Sequence, residues 1–457
     1  MIENIQNYDK GNHMYEIIKK LFPICRSITG NGTRRSLEII SKELPLKTYE
    51  IPTGTQVFDW TIPKEWNILD AYVLDPTKRK IIDFKKSNLH ILNYSIPMKK
   101  KINFSELKNH IFTDPKHPDD IPYRTSYYSE NWGFCMPHNE FLKLKDGIYE
   151  VFIDSTLKNG NLSYGEYFHK GKNDDEILFS CYICHPSMCN DSLSGVAMTL
   201  ELAKYIKNLK SETNYSYRFL FIPETIGSIT WLSKNQEKIK KIKHGLVVTC
   251  VGDSGNMTYK KTRQNNSEID TTVIGVLKNS KRKFKLFDFF PSGSDERQYC
   301  SPGINLNIGC LTRSMFTQFP EYHTSSDNLD FINPESLNDT FKIYISIISK
   351  LEENFGKFSP KTTARENKIH SDNDPVYVNL FPKCEPHLGK RGIYHLVGGQ
   401  NPIYDVIKEK AIMWILAYSD GTYSLNDISE RSKIDLDILK EVGTLLLEKE
   451  LIKIKLS

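Results

Sequence analysis

Cys181-Tyr182-Ile183-Cys184-His185-Pro186-Ser187-Met188-Cys189-Asn190-Asp191-Ser192-Leu193-Ser194-Gly195 sets three thiols, one imidazole and one carboxylate in a single short stretch. Three incompatible readings compete for it. Cys-x-x-Cys-His is a haem-attachment pattern, a Cys-x-x-Cys pair can open a zinc knuckle, and His185 with Asp191 can begin a metallohydrolase site. Haem attachment belongs to exported chains, whereas the start, MIENIQNYDKGNHMYEIIKK, has no apolar export segment. A structural zinc site needs four ligands, but there is one such cysteine pair, and residues i and i+3 of a strand face opposite sides. Cys181 and Cys184 are therefore expected as small core residues. His185 and Asp191 remain as the candidates for chemistry.

Working outward, EILFSCYICH, YRFLFIPE, GLVVTCVGD and GINLNIGC are short apolar runs with the character of buried strands. SGVAMTLELAKYIKNL and ITWLSKNQEKIKKI between them have helical periodicity. This alternation predicts an α/β domain, a mostly parallel sheet covered on both faces, with functional groups at the carboxyl ends of the strands. Matching groups recur there. Glu224 follows the second run, Asp253 the third, and His323 a later loop, PEYHTSSDN. Two imidazoles and several carboxylates at successive strand ends can converge on one zinc-sized site, with Glu224 as proton acceptor.

The series CHPSMCNDSLSGVAMTLELAKYI, RFLFIPETIGS, GSDERQYCSPGINLNI and EYHTSSDNLDFINPESL resembles the zinc aminopeptidases with two cocatalytic metals, over roughly residues 150–335. The resemblance implies a three-layer fold of the phosphorylase/hydrolase type. It implies His185 on one metal, Asp191 as bridge and His323 on the other. It also implies Glu224 as general base, Tyr322 as a group polarising the scissile carbonyl, and Asp295 close by without binding metal. Three positions depart from that pattern. Thr225 stands where a second glutamate ligand is expected, Ser187 where an aspartate follows the first histidine, and Thr249 where the third strand ends in an aspartate. Asp253 would replace that aspartate only if its loop shifts. One zinc on His185, Asp191 and His323 fits these residues better than two, with Glu224 as base or fourth ligand.

IPTGTQVFDWTIPKEWNI, CRSITG and NWGFCMPH further resemble a group of bacterial aminopeptidase-like proteins, often associated with surface-polysaccharide biosynthesis, that carry an inserted small domain and a C-terminal winged helix. The expected division is a hydrolase domain over 1–46 and 128–360, a β-rich insert over 47–127, a polar linker over 356–380 and a winged helix over 375–457. The implied substrate is a short peptide or an N-acylated small molecule. A catalytically degenerate fold that binds a ligand or partner is the alternative.

A net charge of +5 over 457 residues supports neither nucleic acid nor membrane as a partner. Asp435, Asp437, Glu441, Glu448 and Glu450 crowd the helix that would enter DNA, against Lys440 and Lys449. That helix would repel phosphates, so a DNA-binding regulator is disfavoured and a packing or homo-oligomer role expected. Nine cysteines at irregular spacing suit free thiols and a cytoplasmic protein. Arg26 and Ser27 either close over the pocket or satisfy their own turn. Lys260, Lys261 and Arg263 are expected as solvated surface. Trp132 is expected in the core, and His138 is a candidate for lining the cleft.

Overall fold

The computed structural model describes residues 9–357, 374–393 and 406–455. Its centre is an eight-stranded sheet: β1 (Lys47–Pro52), β2 (Asn161–His169), β3 (Glu176–Tyr182), β4 (Ser216–Ile222), β5 (Ile242–Val248), β6 (Met257–Lys260), β7 (Phe284–Phe287) and β8 (Ile308–Thr312). Their spatial order is β1-β2-β4-β3-β5-β8-β6-β7. The middle four run parallel, while β1, β2 and β6 join antiparallel. Every residue of β3 and β4 is buried, which is why these strands appear in sequence as unbroken apolar runs rather than alternating ones.

Helices α1 (Gly11–Leu21), α3 (Gly195–Lys207) and α6 (Pro334–Asn354) pack on one face through Met14, Ile17, Leu200, Phe341 and Ile345. Helix α6 starts sharply because Asn333 accepts from the Ser336 amide at 2.8 Å and Pro334 holds the first helical position. The other face carries α4 (Ile226–Lys234), and its core runs on without a break into the insert and the C-terminal domain. The insert is an antiparallel sheet of Lys80–Asp83, Glu65–Leu74, Ile148–Lys158 and Met98–Asn103, in that spatial order. Strand pairing therefore moves its limits away from 47–127. Residues 47–52 belong to the central sheet as β1, and 148–158 belong to the insert.

The C-terminal domain has three helices, Val406–Tyr418, Leu425–Ser432 and Leu436–Glu448. Its small sheet has Val376–Asn379 between Asp420–Ser424 and Ile452–Ile454. The strand Val376–Asn379 falls inside the stretch expected as linker, and residues 358–373 of that stretch lie outside the described ones. The basic cluster expected on the surface is largely inside. Lys260 is 0% exposed, 2.5 Å from Glu296 and 3.8 Å from the Phe290 ring centroid. Arg263 is buried against Tyr418 and Tyr423, pairs with Asp420 and donates to the Ala417 carbonyl at 3.0 Å. It thus fastens the winged helix to the central α/β domain, and only Lys261 remains partly exposed, beside Asp288.

Two buried ionic ties hold the sheet and the insert. Arg218, in the middle of β4, donates to both oxygens of Glu176 at 2.7 and 2.8 Å and to Glu166 at 2.5 Å, linking three adjacent strands. Removing the guanidinium would leave Glu176 buried without its counter-charge and Glu166 with only the more distant Lys238, at 3.7 Å. Arg218→Leu is therefore expected to cost about 3–5 kcal/mol, read as an earlier urea unfolding transition of the full chain. Glu65 receives Arg34 at 2.9 and 2.5 Å and the Asn161 amide at 2.9 Å, joining α2 (Asn31–Ser41), the insert and β2. Arg34 draws its pKa from the ordinary 4.5 down to about 2. A depressed carboxylate stabilises the fold above its unfolded pKa, and that contribution fades as pH falls through the folded value. Stability should therefore drop between about pH 4.5 and pH 2. In Glu65→Gln this part of the acid melting-temperature profile is expected to flatten.

Candidate metal centre

The parallel strands deliver their carboxyl ends to one side of the sheet. His185 lies three residues beyond β3 and Glu224 two beyond β4. Asp191 sits in the turn that enters α3, and His323 in the loop between β8 and α6. The close approach of this turn to β5 depends on Gly195, where a Cβ would stand 2.1 Å from the Val248 carbonyl oxygen. Donor atoms of His185, Asp191 and His323 all lie within 4.8 Å of one another. A tetrahedral zinc with bonds of about 2 Å would hold its ligand atoms about 3.3 Å apart, so the cluster is of the right size. His323 Nε2 and Asp191 Oδ2 are 3.0 Å apart, yet both are buried and, among the described residues, neither has an aligned hydrogen-bond partner. Orphaned buried polar atoms facing one another are what a cation would satisfy.

Electrostatics agree with that donor set. Burial pushes His185 down to about 4, so its imidazole is neutral at physiological pH, as a metal ligand must be. For Asp191, burial opposes ionisation, but His185, His323 and the Tyr182 hydroxyl outweigh it and bring the carboxyl to about 2. Glu224 is the reverse case. Burial, Asp295 and Asp191 raise it well above the usual carboxylate range, as suits a group that carries a proton. Glu224 Oε2 is 3.7 Å from His185 Nε2. The Tyr322 ring stacks on His323 at 3.9 Å, and burial followed by Asp191 and Glu224 keeps its hydroxyl protonated.

The positions that depart from the two-metal pattern have other work. Thr249 Oγ1 donates to the Tyr182 hydroxyl at 2.8 Å, and that hydroxyl donates to Asp191 Oδ1. Thr225 has φ 62°, strained for a β-branched residue. Asp295 fixes it by accepting its amide at 2.7 Å, and Arg297 donates to its hydroxyl at 3.0 Å. Ser187 donates to the Phe22 carbonyl at 2.8 Å. Asp253 does not reach the cluster, because Asn190 Nδ2, Ser314 Oγ and the Gly255 amide claim its oxygens at 2.9, 2.7 and 2.6 Å. Cys181 and Cys184 are buried free thiols, and Cys184 Sγ accepts the Glu224 amide at 3.2 Å.

Arg26 neither lines the pocket nor closes its own turn. It is 0% exposed and donates to the His185 carbonyl at 3.0 and 2.7 Å and to that of Leu21 at 2.5 Å. Ser27 donates to Asn93 of the insert at 2.6 Å. Trp132 is buried, with its ring 3.7 Å from that of His110, while His138 faces Thr113 at 3.0 Å.

Two residues absent from the expected set complete the surroundings. Tyr123 packs its ring 5.2 Å from both imidazoles and donates its amide to the His323 carbonyl at 2.8 Å. Asp327 is fully buried and accepts the amides of Asn190 at 2.6 Å and Asp191 at 2.8 Å. Its position four residues after His323 in the same quoted segment was the available signal. A second donor group, His13 with Glu43 and Glu201, already holds a cation: Lys204 Nζ lies 2.7 and 2.8 Å from the two carboxylates.

Residues 15–354 match a family model described as a domain of unknown function (DUF4910), and residues 375–454 match a winged helix-turn-helix model. A Clostridium acetobutylicum protein described as a putative polysaccharide biosynthesis protein with aminopeptidase-like domain is 49% identical over 451 residues, covering 98% of each chain. The crystal structure of a putative peptidase from the same organism matches with a TM-score of 0.74 at 48% identity, over 99% of this chain and 98% of that one. BSAP, a zinc aminopeptidase from Bacillus subtilis, matches with a TM-score of 0.55 at 13% identity, over 75% of this chain and 95% of that one. The fold is thus that of the zinc aminopeptidases, carrying an added β-rich sheet and a winged helix.

Asp327→Ala would strip two buried amides of their acceptor and free the Asp191 turn. Zinc affinity, measured by competition with a chromophoric chelator, is expected to fall about 10–100-fold, with Asp327→Asn in between.

Proposed function

The chain belongs to the DUF4910 family, and from that premise we propose that it is a zinc-dependent hydrolase of an amide bond, the zinc held by His185, Asp191 and His323. The observation that carries this reading is the pair of orphaned buried atoms, Asp191 Oδ2 and His323 Nε2, with His185 inside the same cluster. Zinc bound there would polarise the amide carbonyl and acidify water. Glu224 takes a proton from the attacking water and returns it to the departing nitrogen, as its place 3.7 Å from His185 Nε2 allows. Tyr322, a neutral hydroxyl beside His323, donates to the oxygen that gains charge as the carbonyl is attacked. Arg26 acts further back, fixing the His185 carbonyl and with it the turn.

With threonine hydroxyls engaged elsewhere at 225 and 249, the carboxylates for a second ion are missing, so the reading is a one-zinc site. The substrate is a short peptide cut at its N-terminal residue or an N-acylated small molecule. The description of the C. acetobutylicum relative supports a setting in polysaccharide biosynthesis. The same two threonines favour one competing reading, a fold that keeps its metal and ligand but has lost turnover.

Metal analysis and amide hydrolysis test the proposal together. Protein purified with zinc should retain about one ion per chain. Glu224→Gln should keep that ion and lose about 10²–10⁴-fold in kcat. Absence of zinc, with no change in rate on Glu224→Gln, would overturn the proposal, whereas tight zinc without cleavage of any peptide or N-acyl amide would establish the binding-protein alternative.

A further inference from the structure

Beside the metal cluster lies a cavity of about 440 Å³, built from three parts of the chain. The insert supplies Tyr127 and Tyr128, and Trp60 from its hairpin Gln56–Thr61; the central α/β domain supplies Arg297, and the C-terminal domain supplies His387 and Met413. Its wall touches the site at two points. The Tyr127 hydroxyl is 2.8 Å from that of Tyr123, whose ring packs on both imidazoles. Arg297 bonds the hydroxyl of Thr225, the residue after the proposed base.

The C-terminal wall is built, not loosely apposed. Asp59 of the hairpin accepts the His387 amide at 2.8 Å and is bonded by Lys390 at 2.7 Å and Arg391 at 2.5 Å. Trp60 donates to the Glu385 carbonyl at 2.8 Å and stacks on His387 at 4.2 Å. Tyr128 is held at φ 66°, an uncommon conformation for a bulky residue, and backbone strain of this kind gathers at binding sites.

The chemistry of the lining narrows the ligand. Glu385 lies 3.2 Å from Arg297, and Lys390 is taken up by Asp59. Glu409 and Lys410, one of each sign, complete the charged lining, so the wall as a whole is balanced and selects no net charge in a ligand. Burial pushes His387 down to about 4, leaving an uncharged ring. What remains is aromatic surface with hydroxyl, guanidinium and carboxylate edges, which can pack the C–H face of a saturated ring and bond its hydroxyls. The volume suits one or two such rings.

We propose that this cavity is the specificity pocket of the amide-cleaving site, that it takes the ring of an uncharged N-acylated amino sugar, and that the winged-helix domain serves as its wall. This rests on the proposed hydrolase reading, and the test separates the two. Full-length, zinc-loaded Glu224→Gln is titrated calorimetrically with N-acetylglucosamine, N-acetylgalactosamine and N-acetylmannosamine, and with leucine amide as the peptide-like probe. At least one sugar should bind, leucine amide should not displace it, and Met413→Trp, which fills the cavity from a residue outside the metal cluster, should weaken the sugar at least tenfold with zinc content unchanged. Tyr128→Ala gives a second, independent loss from the opposite wall.

Failure of all three sugars to bind, or equal binding to Met413→Trp, overturns the inference. So does turnover of a peptide amide by wild type that Met413→Trp leaves untouched, an outcome that spares the hydrolase reading. Sugar binding without turnover by wild type would instead sink the hydrolase reading and leave the pocket standing.

Discussion

The site depends on one buried carboxylate that belongs to none of the proposed catalytic roles. Asp327 takes the amides of Asn190 and Asp191, while its own carbonyl accepts the amide of Cys189 at 3.0 Å. These bonds join the loop bearing His323 to the turn bearing Asp191, two segments more than 130 residues apart. Burial drives the Asp327 carboxyl up to about 8, so the fold accepts an electrostatic penalty to keep it there. A buried acceptor for two otherwise orphaned amides offsets that penalty, because unpaired buried amides would cost about 1–3 kcal/mol each.

From that joint the other contacts fall into sequence. With the Asp191 turn fixed, Gly195 can enter its helix against β5, and Ser194 Oγ accepts the Val251 amide at 3.0 Å. Arg26 holds the same turn from the other end through the His185 carbonyl. Tyr123, arriving from the insert, packs against both imidazoles, whose own rings are 5.4 Å apart. The three donor residues are therefore set by the central α/β domain and the insert jointly, two parts that also share one continuous core.

Much of this was legible in the sequence, for a physical reason. Parallel strands buried on both faces must be apolar throughout, so EILFSCY and SYRFLFI declare themselves. Donors needed at strand ends must then follow those runs directly, as His185 and Glu224 do. What escaped were pairings between distant segments. Arg263 looks like surface until Asp420 meets it from the C-terminal domain, and Lys260 until Glu296 and three phenylalanine rings enclose it. The insert's limits escaped because β1 pairs with β2 across more than a hundred residues of intervening chain.

In the sequence, the threonines at 225 and 249 stand as departures from the two-metal pattern. Their surroundings make them substitutions with compensation. At 249 the hydroxyl supports Tyr182, which in turn donates to Asp191, so a neutral relay stands where the two-metal pattern has a carboxylate. At 225 the hydroxyl accepts from Arg297, and that guanidinium also reaches Glu385 of the C-terminal domain. A glutamate at 225 could pair with Arg297 directly and draw it from Glu385. The hydroxyl at 225 thus lets the guanidinium join the segment that follows Glu224 to the C-terminal wall, a link that a carboxylate at the same position would compete for.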